Sequence, residues 1–205
     1  MPRTTKQVEN NSIIDELIEI RSDPYTEDGN ELFPWIMYAK DTTYSLYIYC
    51  TLLDPIYYTR LFEIIRGLTD KEQLNVHINS PGGSLMTSFA FINVLNECKA
   101  KKYMYIDGYA ESAAAILAFV GDNLVIGEHS NIMFHNIQTF FTSANSHDNG
   151  HLKASIESIL NIYKSMLLKY CGNILSKTDI KNIIEHGAEI YFTGSELKTR
   201  LEKST

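Results

Sequence analysis

The sequence predicts an α/β fold with a mostly parallel sheet, and three observations predict it. From Tyr44 to Phe134, short strand-like runs alternate with helical patterns, the order expected of a sheet covered by helices. A glycine turn, Pro81-Gly82-Gly83, falls where a strand hands over to a helix. The chain has 205 residues, 44% hydrophobic and 21% charged, which suits one large domain, or one domain with an appendage, around a real core.

The elements read in order as follows. Val8 to Arg21 places Ile13, Ile14, Leu17 and Ile18 at helical spacing. Ser22 to Asn30 is loop-like, with Asp23-Pro24 and Glu27-Asp28-Gly29-Asn30. Leu32 to Tyr38 is apolar and aromatic, fit either to pack on the body or to meet a partner. Tyr44 to Cys50 reads as a strand. Asp54-Pro55 opens a helix to about Leu68, with proline in the first turn, where the helix needs no amide donor. Leu74 to Ile78 alternates as a strand, and Ser84 to Cys98 follows as a helix. Tyr103 to Ile106 is a third strand, leading through Gly108 to Ser112. Ala113 to Val120 is a short buried helix, and Asn123 to Ile126 and Asn131 to Phe134 are short strands.

Beyond this alternation the pattern changes. Ile137 to Thr142 is β-like and Ser143 to Gly150 is a polar loop. Lys153 to Cys171 is one amphipathic helix with Ile156, Ile159, Leu160, Tyr163, Leu167 and Tyr170 on a face. This hairpin and helix, Asn136 to Gly172, read as an arm, and arms with apolar faces serve oligomerisation.

Composition excludes several function classes. The net charge is −7 and no run of Lys and Arg stands out, which disfavours nucleic acid. No apolar run approaches the roughly 18–20 residues of a membrane span, and Met1 to Asn11 lacks the apolar core of a secretion signal. Cys50, Cys98 and Cys171 match no zinc or redox spacing and read as small core residues in a reducing cytosol.

Three features offer chemistry. The turn Asn79-Ser80-Pro81-Gly82-Gly83-Ser84 sits between a strand and a helix, where backbone N–H groups are free to hold a phosphate or the oxyanion of a reacting carbonyl. Ser112 stands where a strand meets an alanine-rich helix, placed either as an acyl-transfer nucleophile or as a helix N-cap. His135 ends an apolar strand, placed either as a base at a cleft edge or as a half-buried residue bonded to backbone. His147 and His151 have helical spacing, but only Asp148 is at hand as a carboxylate, so no metal site is expected.

Taken in order, Ile78-Asn79-Ser80-Pro81-Gly82-Gly83-Ser84, Gly108-Tyr109-Ala110-Glu111-Ser112-Ala113 and Ile132-Met133-Phe134-His135 resemble the proteolytic subunit of the Clp protease. The resemblance runs from about Tyr44 to Phe192. It implies a Clp/crotonase-like superhelix of β-β-α units with a protruding strand–helix handle at about residues 136–171. The peptidase domain would span residues 41–205, and residues 1–40 would be a separate axial or partner-contacting segment. Ser112 would be the nucleophile, His135 its base, and the N–H groups of Gly83 and Ala113 the oxyanion hole.

The family's aspartate falls at Glu189, just before Ile190-Tyr191-Phe192-Thr193, with Asp179 and Glu185 as nearby alternatives. The resemblance further implies ATP-dependent cleavage of unfolded polypeptides in the cytoplasm. It implies a ring homo-oligomer, heptamer or double heptamer (tetradecamer), fed by a Clp-type ATPase unfoldase, with no cofactor or metal. Glu111 departs from the family's alanine, the usual closing segment after Leu197 is missing, and the first forty residues match no family pattern. These departures keep two other readings open: a non-catalytic subunit of a mixed ring, and a crotonase-type acyl-CoA enzyme using Glu111. A Ser–Lys peptidase is a further rival, but that type works at a membrane.

Overall fold

The structure is a computed structural model and describes residues 17–27, 29–137 and 149–204. Its centre is an eight-stranded, mostly parallel sheet, as the alternation predicts. The strands in sheet order are β1 (Ile18–Arg21), β4 (Ile36–Lys40), β5 (Thr43–Ile48), β6 (Gln73–Ser80), β7 (Lys101–Glu111), β9 (Asn131–Phe134) and β10 (Ile190–Thr193). A further strand, β8 (Asn123–Ile126), also pairs with β7. β2 (Tyr25–Glu27) and β3 (Asn30–Leu32) form a separate hairpin.

The parallel pairs are β5–β6, β6–β7, β7–β8 and β7–β9; β1–β4, β4–β5 and β9–β10 are antiparallel. The eleven-residue β7 is shared. Tyr103 to Ile106 pairs with β8, and Tyr109 to Glu111 pairs with β9. This division brings β9, and therefore His135, beside the end of β7, where Ser112 follows.

Each strand's period-2 pattern decides what it buries. In β6, Leu74, Val76, Ile78 and Ser80 face inward while their neighbours are half-buried. Against them pack α1 (Thr59–Gly67), through Leu61, Phe62 and Ile65, and α2 (Leu85–Glu97), through Phe91, Ile92, Val94 and Leu95. Burying each such side chain contributes about 1.5–3 kcal/mol. Ser84 caps α2 by accepting from the Thr87 N–H at 3.3 Å. The short α3 (Ala113–Leu117) is wholly buried, because small alanines let it sit close under the sheet. α4 (Asn149–Cys171), α5 (Lys177–His186) and α6 (Gly194–Ser204) complete six helices among the described residues.

Several elements differ from the expected ones. Ile18–Arg21, read as the end of a helix, is a strand paired with β4. The hydrogen bonds of a sheet edge outweigh a helical spacing over four residues. Val8 to Glu16 lies outside the described residues. The helix expected from Pro55 begins as a 3₁₀ turn, Pro55–Tyr58, and becomes α only at Thr59. α3 stops at Leu117 rather than Val120. Of the β-like run from Ile137 and the loop after it, residues 138–148 lie outside the described residues, and the arm helix already runs from Asn149. The sheet also continues upstream of the expected domain start: β4 and β5 form a hairpin through Asp41, whose φ is +52°.

Candidate active site

Ser112 leaves the end of β7 at φ 55° and ψ −125°. A side chain at positive φ costs about 1–3 kcal/mol and persists only where the surroundings enforce it. Here they do. The Ser112 N–H donates to the Met133 carbonyl at 2.8 Å, and the Ser112 carbonyl accepts from Ala115 at 3.1 Å. Ser88 on α2 donates its buried hydroxyl to the Ala113 carbonyl at 2.7 Å, fixing the start of α3. The Ser112 side chain does not cap that helix. Its hydroxyl lies 2.5 Å from Nε2 of His135.

The glycine turn packs directly on this elbow. Gly82 has φ +88°, and a Cβ there would stand 2.8 Å from Ser112 Cβ and 2.9 Å from the Ala113 nitrogen. Gly83 has φ +133° and lies against the backbone of Leu52. Both positions admit only glycine, for conformation and for space. Buried Ser80 holds the turn, accepting from the Gly82 N–H at 3.2 Å and donating to the Cys50 carbonyl at 2.6 Å. The bridge to Leu52 uses the Gly82 carbonyl and the Ser84 N–H, both at 2.7 Å. The Gly83 N–H is left out of it. The Ala113 N–H opens α3, where a helix supplies no acceptor. Gly83, Ala113, Ser112 and His135 all line one cleft of about 510 Å³, whose other walls include Pro81, Leu85, Met133 and Ile137. An imidazole so placed is able to take the hydroxyl proton, and the Gly83 and Ala113 N–H groups, which bond no acceptor among the described residues, are able to hold an oxyanion.

Glu189 is not joined to His135 in this structure. It is exposed and accepts from the Tyr191 hydroxyl at 2.9 Å, a bond that raises the Tyr191 phenol above its usual range. Its backbone lies just past the end of the ladder that carries His135. The β9–β10 ladder ends at Phe134 opposite Ile190, and one further step sets Glu189 opposite His135. The two alternatives are engaged on α5. Asp179 closes a capping box with Ser176, and Glu185 lies 3.9 Å from Lys181. No carboxylate among the described residues bonds His135.

Glu111 points away from the chemistry expected of an acyl-CoA enzyme. It accepts from the Asn131 amide at 3.0 Å and does not line the cleft. Sequence reasoning missed Tyr163, which lines the cleft from α4 and donates to the His135 carbonyl at 2.7 Å. Its signal was a hydroxyl on the apolar face of a helix, since a buried tyrosine needs a partner for that group. Of the histidine pair considered for metal, His147 lies outside the described residues. Among those described, no three His, Cys, Asp or Glu converge on a point.

The model of the family described as Clp protease matches residues 60–185, more than half of the chain. That span includes the glycine turn, Ser112 and His135, and stops four positions short of Glu189. No curated protein matches the chain significantly.

Proposed function

The chain belongs to the Clp protease family, and we propose that it is a serine endopeptidase that cleaves unfolded polypeptides. The observation that carries this reading is the 2.5 Å approach of the Ser112 hydroxyl to His135 Nε2 at a strained elbow.

The proposed reaction is acyl transfer. His135 takes the hydroxyl proton as Ser112 Oγ attacks the peptide carbonyl. The oxyanion rests on the N–H groups of Gly83 and Ala113, each worth about 10²–10³ in rate. His135 then gives the proton to the departing amine, and water, deprotonated by the same imidazole, hydrolyses the acyl-enzyme. Glu189 is the proposed orienting acid. Its carboxylate would turn from Tyr191 to Nδ1 of His135; in support, Glu189 lies one position past the end of the ladder between β10 and β9. The apolar walls of the cleft suit an apolar side chain beside the scissile bond.

ATP-dependent delivery by a Clp-type unfoldase, a ring of seven or fourteen copies and a cytoplasmic setting follow as proposals from family membership. Among the described residues no helix is long and apolar enough to cross a membrane. Glu189 bonded to Tyr191 favours a second reading, a non-catalytic ring subunit. One experiment separates the two. A fluorophosphonate should label the purified chain, mass spectrometry should map the adduct to Ser112, and Ser112→Ala should abolish it. An unlabelled wild-type chain would leave the structural subunit as the reading.

A further inference from the structure

His135 lies just past the elements that hold its strand. The parallel ladder with β7 ends at Met133, and the antiparallel ladder with β10 ends at Phe134. No sheet bond fixes the His135 backbone. The hydroxyl of Tyr163 does so instead, donating to the His135 carbonyl at 2.7 Å. This is the ordinary length of a well-formed O–H···O bond, and the ring that carries it is buried, with 2% of its surface exposed. The next residue is tied separately: the Asn136 amide donates to the Ile184 carbonyl on α5 at 3.0 Å. Burial holds the Tyr163 phenol above its usual range, so it remains a donor throughout the titration of an imidazole.

We infer that Tyr163 is a positioning residue, which sets the distance from His135 Nε2 to Ser112 Oγ by anchoring the His135 carbonyl to α4. It acts through His135 and touches no reacting atom. The role rests on the serine-hydrolase reading above. Without the hydroxyl, the His135 backbone would be held only through its neighbours, Phe134 in the ladder and Asn136 on α5, and its own carbonyl would lose its anchor. A misplacement of about 1 Å costs about 10²-fold in rate, so about half an ångström suffices for a tenfold loss.

The test resolves fluorophosphonate acylation of Ser112 into a maximal rate and a half-saturating concentration. It compares the wild-type chain, Y163F, and Tyr163→4-aminophenylalanine, which returns an N–H donor to the same position on the ring. Y163F should lower the maximal rate about tenfold or more, by the sensitivity above, and leave the half-saturating concentration within about twofold. The amino variant should recover most of that loss, with thermal unfolding of all three alike. A wild-type maximal rate in Y163F overturns the role, as does an equal loss in both variants. So does a Y163F chain that fails to fold while the amino variant folds, because the bond is then structural. A wild-type chain that is never acylated refutes the hydrolase reading instead, and the two failures are distinct.

Discussion

Gly82→Ala puts one methyl group between the glycine turn and the elbow, and the structure sets the size of the effect. The backbone at Gly82 has φ +88°, which costs an alanine roughly 1–2 kcal/mol. The new Cβ would meet the Glu111 carbonyl oxygen at 2.6 Å, Ser112 Cβ at 2.8 Å and the Ala113 nitrogen at 2.9 Å. Ordinary contact begins at 3.4 Å, so the elbow must retreat by about half an ångström or more. Overpacking of this kind adds about 1–3 kcal/mol. The sum, roughly 2–5 kcal/mol, lowers the melting temperature by about 4–20 °C in a chain of this length. The retreat moves the Ser112 hydroxyl and the Ala113 N–H together, so on the proposed mechanism acylation should slow about 10- to 100-fold at temperatures where the variant is still folded. Differential scanning fluorimetry and fluorophosphonate labelling measure the two effects. Gly29→Ala is the control: its φ is +80°, but nothing lies within 4 Å of the added carbon. It should lose only the conformational share of stability and keep the wild-type labelling rate. A Gly82→Ala chain that labels at the wild-type rate would refute the argument that this turn builds the site.

Three further outcomes are expected. Glu189→Gln should lower peptide cleavage about 10-fold or more if the carboxylate orients His135 when substrate binds, while leaving the melting temperature unchanged, since its present bond to Tyr191 is exposed; equal cleavage by variant and wild type would remove Glu189 from the site. Ser88→Ala deletes the donor to the buried Ala113 carbonyl and should destabilise the chain by about 1–3 kcal/mol in urea titration, with a slower acylation rate because α3 loses its tether. Hydrogen bonds from Thr69 hold the Glu72 carboxyl below its usual range, and those from Thr193 do the same for Glu196. The stability these groups contribute is fully present above an unfolded carboxyl value of about 4.3 and is lost as pH falls through their lower folded values. Melting temperature followed from pH 6 to pH 2 should therefore fall less steeply in Thr69→Ala and Thr193→Ala than in wild type.

The central fold was legible because burial leaves a period in the sequence. β6 alternates without a break from Gln73 to Ser80, and the limits of β8 and β9 match the apolar runs residue for residue. Failures came where a distant contact decided. The alternation ends a strand at Ile106, yet β7 runs on past Gly108 to Glu111. A Cβ at Gly108 would strike the Asn79 side chain, whose Oδ1 accepts from the Tyr109 N–H at 3.1 Å. The glycine is there to admit a neighbour, and the strand continues past it. β1 shows the reverse: four residues with helical spacing pair at the sheet edge because β4 presents unpaired backbone there.

The site divides along the same line. Glycines in a turn and a serine at an elbow carry their geometry in their own backbone, so the turn at Gly82-Gly83 and the elbow at Ser112 were readable from local sequence. Ser112 had two local options, an N-cap or a free hydroxyl, and only a nonlocal fact separates them. Gly82 packs against the elbow while Met133 ties its N–H, and in this arrangement the side chain reaches His135 and leaves α3 uncapped. Glu189 poses the same choice one step further out. Tyr191 lies two residues along its own strand, and His135 lies one step past the end of a ladder. The structure shows only the first of these bonds, and the proposed mechanism would have substrate in the cleft bring about the second. As a proton moves onto His135 the imidazole becomes a cation, and a cation outbids a neutral phenol for a carboxylate. On the proposed mechanism, the position of the orienting acid would therefore depend on the reaction itself.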